Sequence, residues 1–122
     1  MLVVDDNEGQ LKAIGRLLKP HRSHLHVALV DNGIDALVLV GAFKPHLIVL
    51  DVFMPEIDGL EVCRRLKAKP ETRNIDVIVT SGQLTPQLFD KAIAAGARHA
   101  VPKPIDLAIV LGTLGLVREL SR

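Results

Sequence analysis

Asp5, Asp6, Asp51, Ser81 and Lys103 are the residues of this 122-residue sequence whose types and positions could together do chemistry. Asp51 is the clearest. It stops the apolar run Leu47-Ile48-Val49-Leu50 at the head of the stretch LIVLDVFMPEIDG. A continuous apolar run of this kind fits a strand buried on both faces of a parallel sheet. An acid directly after it sits where the strand emerges from the core. Carboxylates held close together repel one another and shift pKa unless something neutralises them. A hard divalent cation does so. Mg²⁺ prefers oxygen ligands and often takes one or two carboxylates, waters and a phosphate. A lysine and a hydroxyl nearby supply the donors that a phosphoryl group needs. The set therefore suggests Mg²⁺-assisted phosphoryl transfer to a carboxylate nucleophile, Asp51. The metal and Lys103 would offset charge on the transferring oxygens, and Ser81 would hydrogen-bond one of them.

These residues must be carried by elements that bring them together. Met1–Val4 reads as a very short first strand ending in Asp5-Asp6, and Leu25–Val30 as a second. Leu47–Leu50 is the third, Ile75–Thr80 the fourth, ending at Ser81-Gly82, and Ala100–Pro102 the fifth, followed by Lys103. Pro102 lacks a backbone donor, which puts the fifth strand at a sheet edge. Helices alternate with the strands. Asn7 with Gln10 can cap the first, whose apolar face is Leu11, Ile14, Leu17 and Leu18, and Pro20 stops it. Asn32 caps the second, which runs through Val40. Asp58 with Glu61 reads as a capping box for the third, Leu60–Lys69, with Leu60, Cys63 and Leu66 inward. Thr85-Pro86 opens the fourth and Gly96 closes it. Asp106 can cap a fifth that continues to Leu120.

Five strands alternating with five helices predict a doubly wound α/β sandwich with parallel strands and right-handed crossovers. In such a sheet the strand ends lie on one edge, and ligands bind where strand order reverses. With the order 2-1-3-4-5, strands one and three adjoin there, and Asp5, Asp6 and Asp51 converge. Taken singly, Asp5 and Asp6 could be helix caps, Asp51 a loop acid, Ser81 a turn residue and Lys103 a solvated charge. Chance does not readily put all of them at strand ends of one alternating fold.

The totals agree with one domain and a single core, 1–122. The chain is 48% hydrophobic with three Phe and no Trp or Tyr, so that core is aliphatic. A net charge of +1 points to neither nucleic acid nor a membrane surface. The lone cysteine, Cys63, excludes an intrachain disulfide and fits a small apolar filler in a reducing compartment. No apolar stretch reaches membrane-spanning length. The expectation is a soluble, cytoplasmic protein.

The stretches VVDDNEG (Val3 to Gly9), LIVLDVFMPEIDG (Leu47 to Gly59), VIVTSG (Val77 to Gly82), AAGA (Ala94 to Ala97) and Lys103-Pro104 together resemble the receiver domain of two-component response regulators, over essentially the whole chain. The resemblance implies a flavodoxin-like (βα)5 sandwich that switches by accepting a phosphoryl group. It implies that Asp51 is the phosphoacceptor, served by a sensor histidine kinase or phosphotransfer protein. Asp6 would be the direct Mg²⁺ ligand, Asp5 would act mainly through water, and the Phe53 carbonyl would complete the set. Ser81 would be the switch hydroxyl, and Lys103 the family's lysine, joined to Pro104 by a cis bond. Such a domain catalyses only its own phosphorylation and dephosphorylation and has no separate substrate.

The sequence also departs from the family pattern. Ala100 stands where most receivers carry an aromatic, so the usual coupled movement of hydroxyl and aromatic cannot operate in its common form. Ile105 replaces a frequent Phe. Phe53 and Gln83 occupy positions that tune acyl-phosphate hydrolysis in the family, and a bulky Phe53 is expected to restrict the attacking water. His21, His24 and His26 have metal-like spacing but no acid or cysteine nearby. Arg64, Arg65, Lys67 and Lys69 read as a solvated face and not as a nucleic-acid site. In the last helix Leu107, Val110, Leu111, Leu114 and Val117 can cover the core, while Ile109, Leu116 and Leu120 fall outside that stripe. Either the next segment covers them, or a homodimer or partner face includes the fourth and fifth helices. The rival readings are a pseudo-receiver acting as a pure interaction module, a flavodoxin-like cofactor binder and a haloacid-dehalogenase-type phosphatase. Retention of the five residues opposes the first. The acidic Asp5-Asp6-Asn7-Glu8 run opposes the second, and the adjacency of the two acids opposes the third.

Overall fold

The computed structural model describes residues 1–23 and 25–113. Strands β1 (Leu2–Val4), β2 (Ala28–Val30), β3 (Leu47–Asp51), β4 (Asp76–Ser81) and β5 (His99–Pro102) alternate with helices α1 (Glu8–Leu18), α2 (Gly33–Phe43), α3 (Gly59–Ala68), α4 (Pro86–Ala94) and α5 (Leu107–Thr113). The strands form one parallel sheet in the order β2-β1-β3-β4-β5, as expected, with β5 and its proline at an edge.

Side-chain alternation along the strands builds two apolar layers. Val3, Leu47, Val49, Ile78 and Val101 meet Leu11 and Leu18 of α1 and Val110 and Leu111 of α5. Leu2, Ile48, Leu50, Val77 and Val79 meet residues of α2, α3 and α4. Leu60, Cys63 and Leu66 are buried as predicted. The Cys63 thiol donates to the Ala95 carbonyl at 3.4 Å, and burial pushes its pKa up, so it is a core filler.

Element boundaries moved for identifiable reasons. β2 covers only Ala28–Val30 because β1 offers three partners, paired Leu2 with Ala28, Val3 with Leu29 and Val4 with Val30. Ile75 lies outside β4 because its N–H is bonded to the Thr72 carbonyl in the preceding turn. α3 stops at Ala68, since Lys69 precedes a proline and is extended at φ −109°. α2 runs to Phe43, where Lys44 adopts a left-handed cap and donates to Val40. Pro20 does not end the coil outright. It sits in a 3-10 turn, Lys19–His21, that follows α1 directly. Leu17 is 52% exposed, falling beside the stripe of Leu11, Ile14 and Leu18.

In α5, Val110 and Leu111 are buried and Ile109 is exposed. The side chain of Leu107, and Leu114, Leu116, Val117 and Leu120, lie outside the described residues, as does the expected run to Leu120. Among the described residues no helix is long and apolar enough to cross a membrane.

Candidate functional site

The C-terminal ends of β1, β3, β4 and β5 share one edge of the sheet. Register pairs Val4 with Leu50, Asp51 with Thr80 and Ser81 with Pro102, so the residues after each run emerge side by side. Backbone bonds tie the edge together. Val52 N–H donates to Thr80, Gly59 N–H to Val52, and Lys103 N–H to Ser81, all at 2.9–3.0 Å. The Lys103–Pro104 bond is cis, as expected.

Asp5, Asp6 and Asp51 present carboxylate oxygens that all lie within 4.8 Å of one another. Asp5 is 2% exposed and Asp51 5%, whereas Asp6 faces solvent. Asp5 is held at both oxygens: Oδ1 accepts from the Asn7 N–H at 2.9 Å and Oδ2 from Lys103 Nζ at 2.7 Å. Lys103 Nζ also lies 3.3 Å from Asp51 Oδ2 and donates to Gln10 Oε1 at 2.5 Å. Ser81 is fully buried, and its Oγ accepts from the Gln83 N–H at 3.1 Å. Phe53 follows in the β3–α3 loop and is 64% exposed.

Burial raises the Asp51 pKa to about 6, with the Asp5 carboxylate adding to the rise and Lys103 opposing it. One lysine cannot balance three acids. Their all-oxygen donor set fits a hard cation such as Mg²⁺. Among the described residues this is the one such grouping of three or more His, Cys, Asp or Glu side chains. His21 and His26 belong to no such grouping among the described residues, and His24 lies outside them.

Sequence reasoning placed all of these strand-end residues but missed two features. The reciprocal halves of the expected capping boxes do not form. Asn7 and Asp58 do cap α1 and α3 by accepting from Gln10 N–H and Glu61 N–H. The Gln10 side chain, however, goes to Lys103, and Glu61 pairs with Arg64 and Arg65. Gln10 was legible only as a cap partner. Its place on the first turn of α1, above the strand ends, was the signal available. The second feature is Gly59. A Cβ there would stand 2.2 Å from the Asp51 carbonyl oxygen, so only glycine lets α3 start this close to the site.

A model of the response regulator receiver domain matches residues 1–114. The chain belongs to the response regulator receiver family. It is 34% identical over 122 residues to the response regulator MprA of Mycobacterium sp. (strain KMS), covering 99% of this chain and 51% of that protein. It is 32% identical over 114 residues to MprA of Mycobacterium avium (strain 104), covering 93% and 48%. The chain thus spans about half the length of these curated relatives. Among solved structures, the signal receiver domain of a DNA-binding response regulator from Colwellia psychrerythraea 34H superposes with a TM-score of 0.86 at 28% identity, over 97% of this chain and 96% of that one. The receiver domain of a signal transduction histidine kinase from Syntrophus aciditrophicus gives 0.77 at 32% identity, over 98% and 88%. This receiver keeps the family's sheet order, and Ala100, where an aromatic is usual, is buried in the layer shared with α2, α3 and α4. The neighbouring β5 residue, His99, instead makes an edge-to-face contact with Phe89 of α4 at 6.2 Å.

Proposed function

We propose that this receiver domain, 1–122, accepts a phosphoryl group on Asp51 from a sensor histidine kinase or phosphotransfer protein, in a Mg²⁺-dependent reaction. The observation that carries the reading is the convergence of Asp5, Asp6 and Asp51 within 4.8 Å, with the Lys103 ammonium 3.3 Å from Asp51. Asp5, Asp6, Asp51 and the Phe53 carbonyl would hold the ion, which when bound supplies charge neutralisation for the transferring phosphoryl oxygens.

The chain's own residues do the rest. A carboxylate oxygen of Asp51 attacks phosphorus, a P–O bond forms and the donor's P–N bond breaks. The leaving imidazole nitrogen keeps the electron pair and takes up a proton from solvent. Lys103 stabilises charge on one phosphoryl oxygen, and the Ser81 hydroxyl turns to donate to another. Attack of water on phosphorus releases inorganic phosphate and regenerates the carboxylate. Phe53 and Gln83, at the positions that tune this hydrolysis in the family, would set its rate. Beyond its own phosphorylation and dephosphorylation the domain has no separate substrate.

The proposed output surface, and homodimer face, is that of α4, β5 and α5, where Ile93 and Ile109 are exposed. With Ala100 in the aromatic's place, Ser81 would signal through the β4–α4 loop. The test is beryllofluoride binding in the presence and absence of Mg²⁺. Binding that requires Mg²⁺ and Asp51 is expected. Mg²⁺-independent binding, or none, would instead fit a pure interaction module.

A further inference from the structure

Lysine ammonium has three N–H donors and no acceptor, so a glutamine beside it must present its carbonyl oxygen. In this site two of the three donors are committed. One goes to Asp5 Oδ2 at 2.7 Å and one to Gln10 Oε1 at 2.5 Å. Asp51 Oδ2 lies 3.3 Å from the same nitrogen, longer than the 2.7–2.9 Å usual for an ammonium–carboxylate bond.

Gln10 is free to do this because of how α1 begins. In a complete capping box its side chain would return to the Asn7 N–H. That N–H is already taken by Asp5 Oδ1 at 2.9 Å. The Asn7 side chain meanwhile accepts from the Gln10 backbone, which fixes where the Gln10 side chain starts. Asp5 therefore does two things: it pairs with Lys103 and it releases Gln10 to the same ammonium.

We propose that Gln10 is a positioning residue for Lys103, holding the ammonium off Asp51 so that the nucleophile's oxygen stays free and the third N–H stays available to an incoming phosphoryl oxygen. Two fixed N–H directions on a tetrahedral nitrogen determine the third, which is preorganisation of the kind that lowers a barrier. Without the Gln10 oxygen a donor is unspent, and the carboxylates of Asp5 and Asp51 draw Nζ between them. The ammonium then closes on Asp51 and occupies the lone pair needed for attack. This rests on the phosphoacceptor reading of Asp51.

Gln10→Met has similar length and no acceptor; Gln10→Glu restores an oxygen at the same reach. With saturating Mg²⁺, labelling of Gln10→Met by acetyl phosphate is expected to be about three- to tenfold slower than wild type, the scale of one lost hydrogen bond. Gln10→Glu is expected to stay within about twofold of wild type. Mg²⁺ affinity, read by titration, and melting temperature should hardly move in Gln10→Met, and its crystal structure should show Lys103 Nζ within about 3 Å of Asp51. Wild-type labelling in Gln10→Met with Lys103 unmoved overturns the proposal. So does equal loss in both variants, or a loss that tracks melting temperature. If wild type itself takes no label and binds no beryllofluoride, the phosphoacceptor reading fails, and the Lys103–Asp51 distance in Gln10→Met still decides whether Gln10 sets that distance.

Discussion

Asp51 is a carboxylate that the fold makes uncomfortable. Its burial and the neighbouring Asp5 hold its pKa near 6, against a usual value near 4. A carboxyl group whose pKa is raised by folding contributes stability when protonated, and that contribution is lost as pH rises through about 6. Metal-free Asp51→Asn should therefore melt above wild type at about pH 7.5, and the gap should close as pH falls toward about 4. Calorimetry across that range checks it; an Asn variant that melts lower at neutral pH would contradict it. Saturating Mg²⁺ should raise the wild-type melting temperature, and that of Asp51→Asn less, because a ligand that binds only the folded state stabilises it. The site residues were legible in the sequence because each follows an apolar run that had to be a strand. Gln10 was not, because its side chain was free to choose between a local cap and a lysine 93 positions away.

The β3–α3 connection bears the closest packing in the site. Gly59 sits where a Cβ would meet the Asp51 carbonyl oxygen at 2.2 Å and Val52 Cα at 3.2 Å, and backbone cannot yield cheaply. Gly59→Ala should lose roughly 1–3 kcal/mol in urea unfolding, and acetyl-phosphate labelling of Asp51 should slow with it. Unchanged labelling would mean that the loop absorbs the methyl group elsewhere. Glu56 in the same loop has φ +69°, a left-handed conformation that costs a side-chain-bearing residue energy. Glu56→Gly should gain up to about 1 kcal/mol in the same measurement, strain relief exceeding the added freedom of the unfolded chain. At the other end of the site, Ser81 Oγ accepts from the Gln83 N–H, so turning the hydroxyl toward a phosphoryl oxygen should shift the Gln83 amide resonance on beryllofluoride binding. An unmoved Gln83 amide would place the switch elsewhere. Helix starts were readable from Asn7, Asn32, Asp58 and Thr85, each of which accepts a backbone N–H as a cap. Strand lengths were not, because β2 ends where β1 runs out of partners, a fact of pairing and not of composition.

At the scale of the molecule, the parallel sheet gathers residues 98 positions apart, Asp5 and Lys103, into one ion pair. That gathering was legible, since alternation of strands and helices with Pro102 at an edge leaves few orders for the strands. What the sequence could not convey is how the acids share one lysine, which depends on side-chain reach at the sheet edge. The central claim is that the edge is a phosphoryl acceptor, and intact-mass measurement after incubation with acetyl phosphate tests it most directly. The account predicts one added phosphoryl group in wild type with Mg²⁺, and none with EDTA or in Asp51→Asn. No added group in wild type with Mg²⁺, or equal labelling of Asp51→Asn, would contradict it.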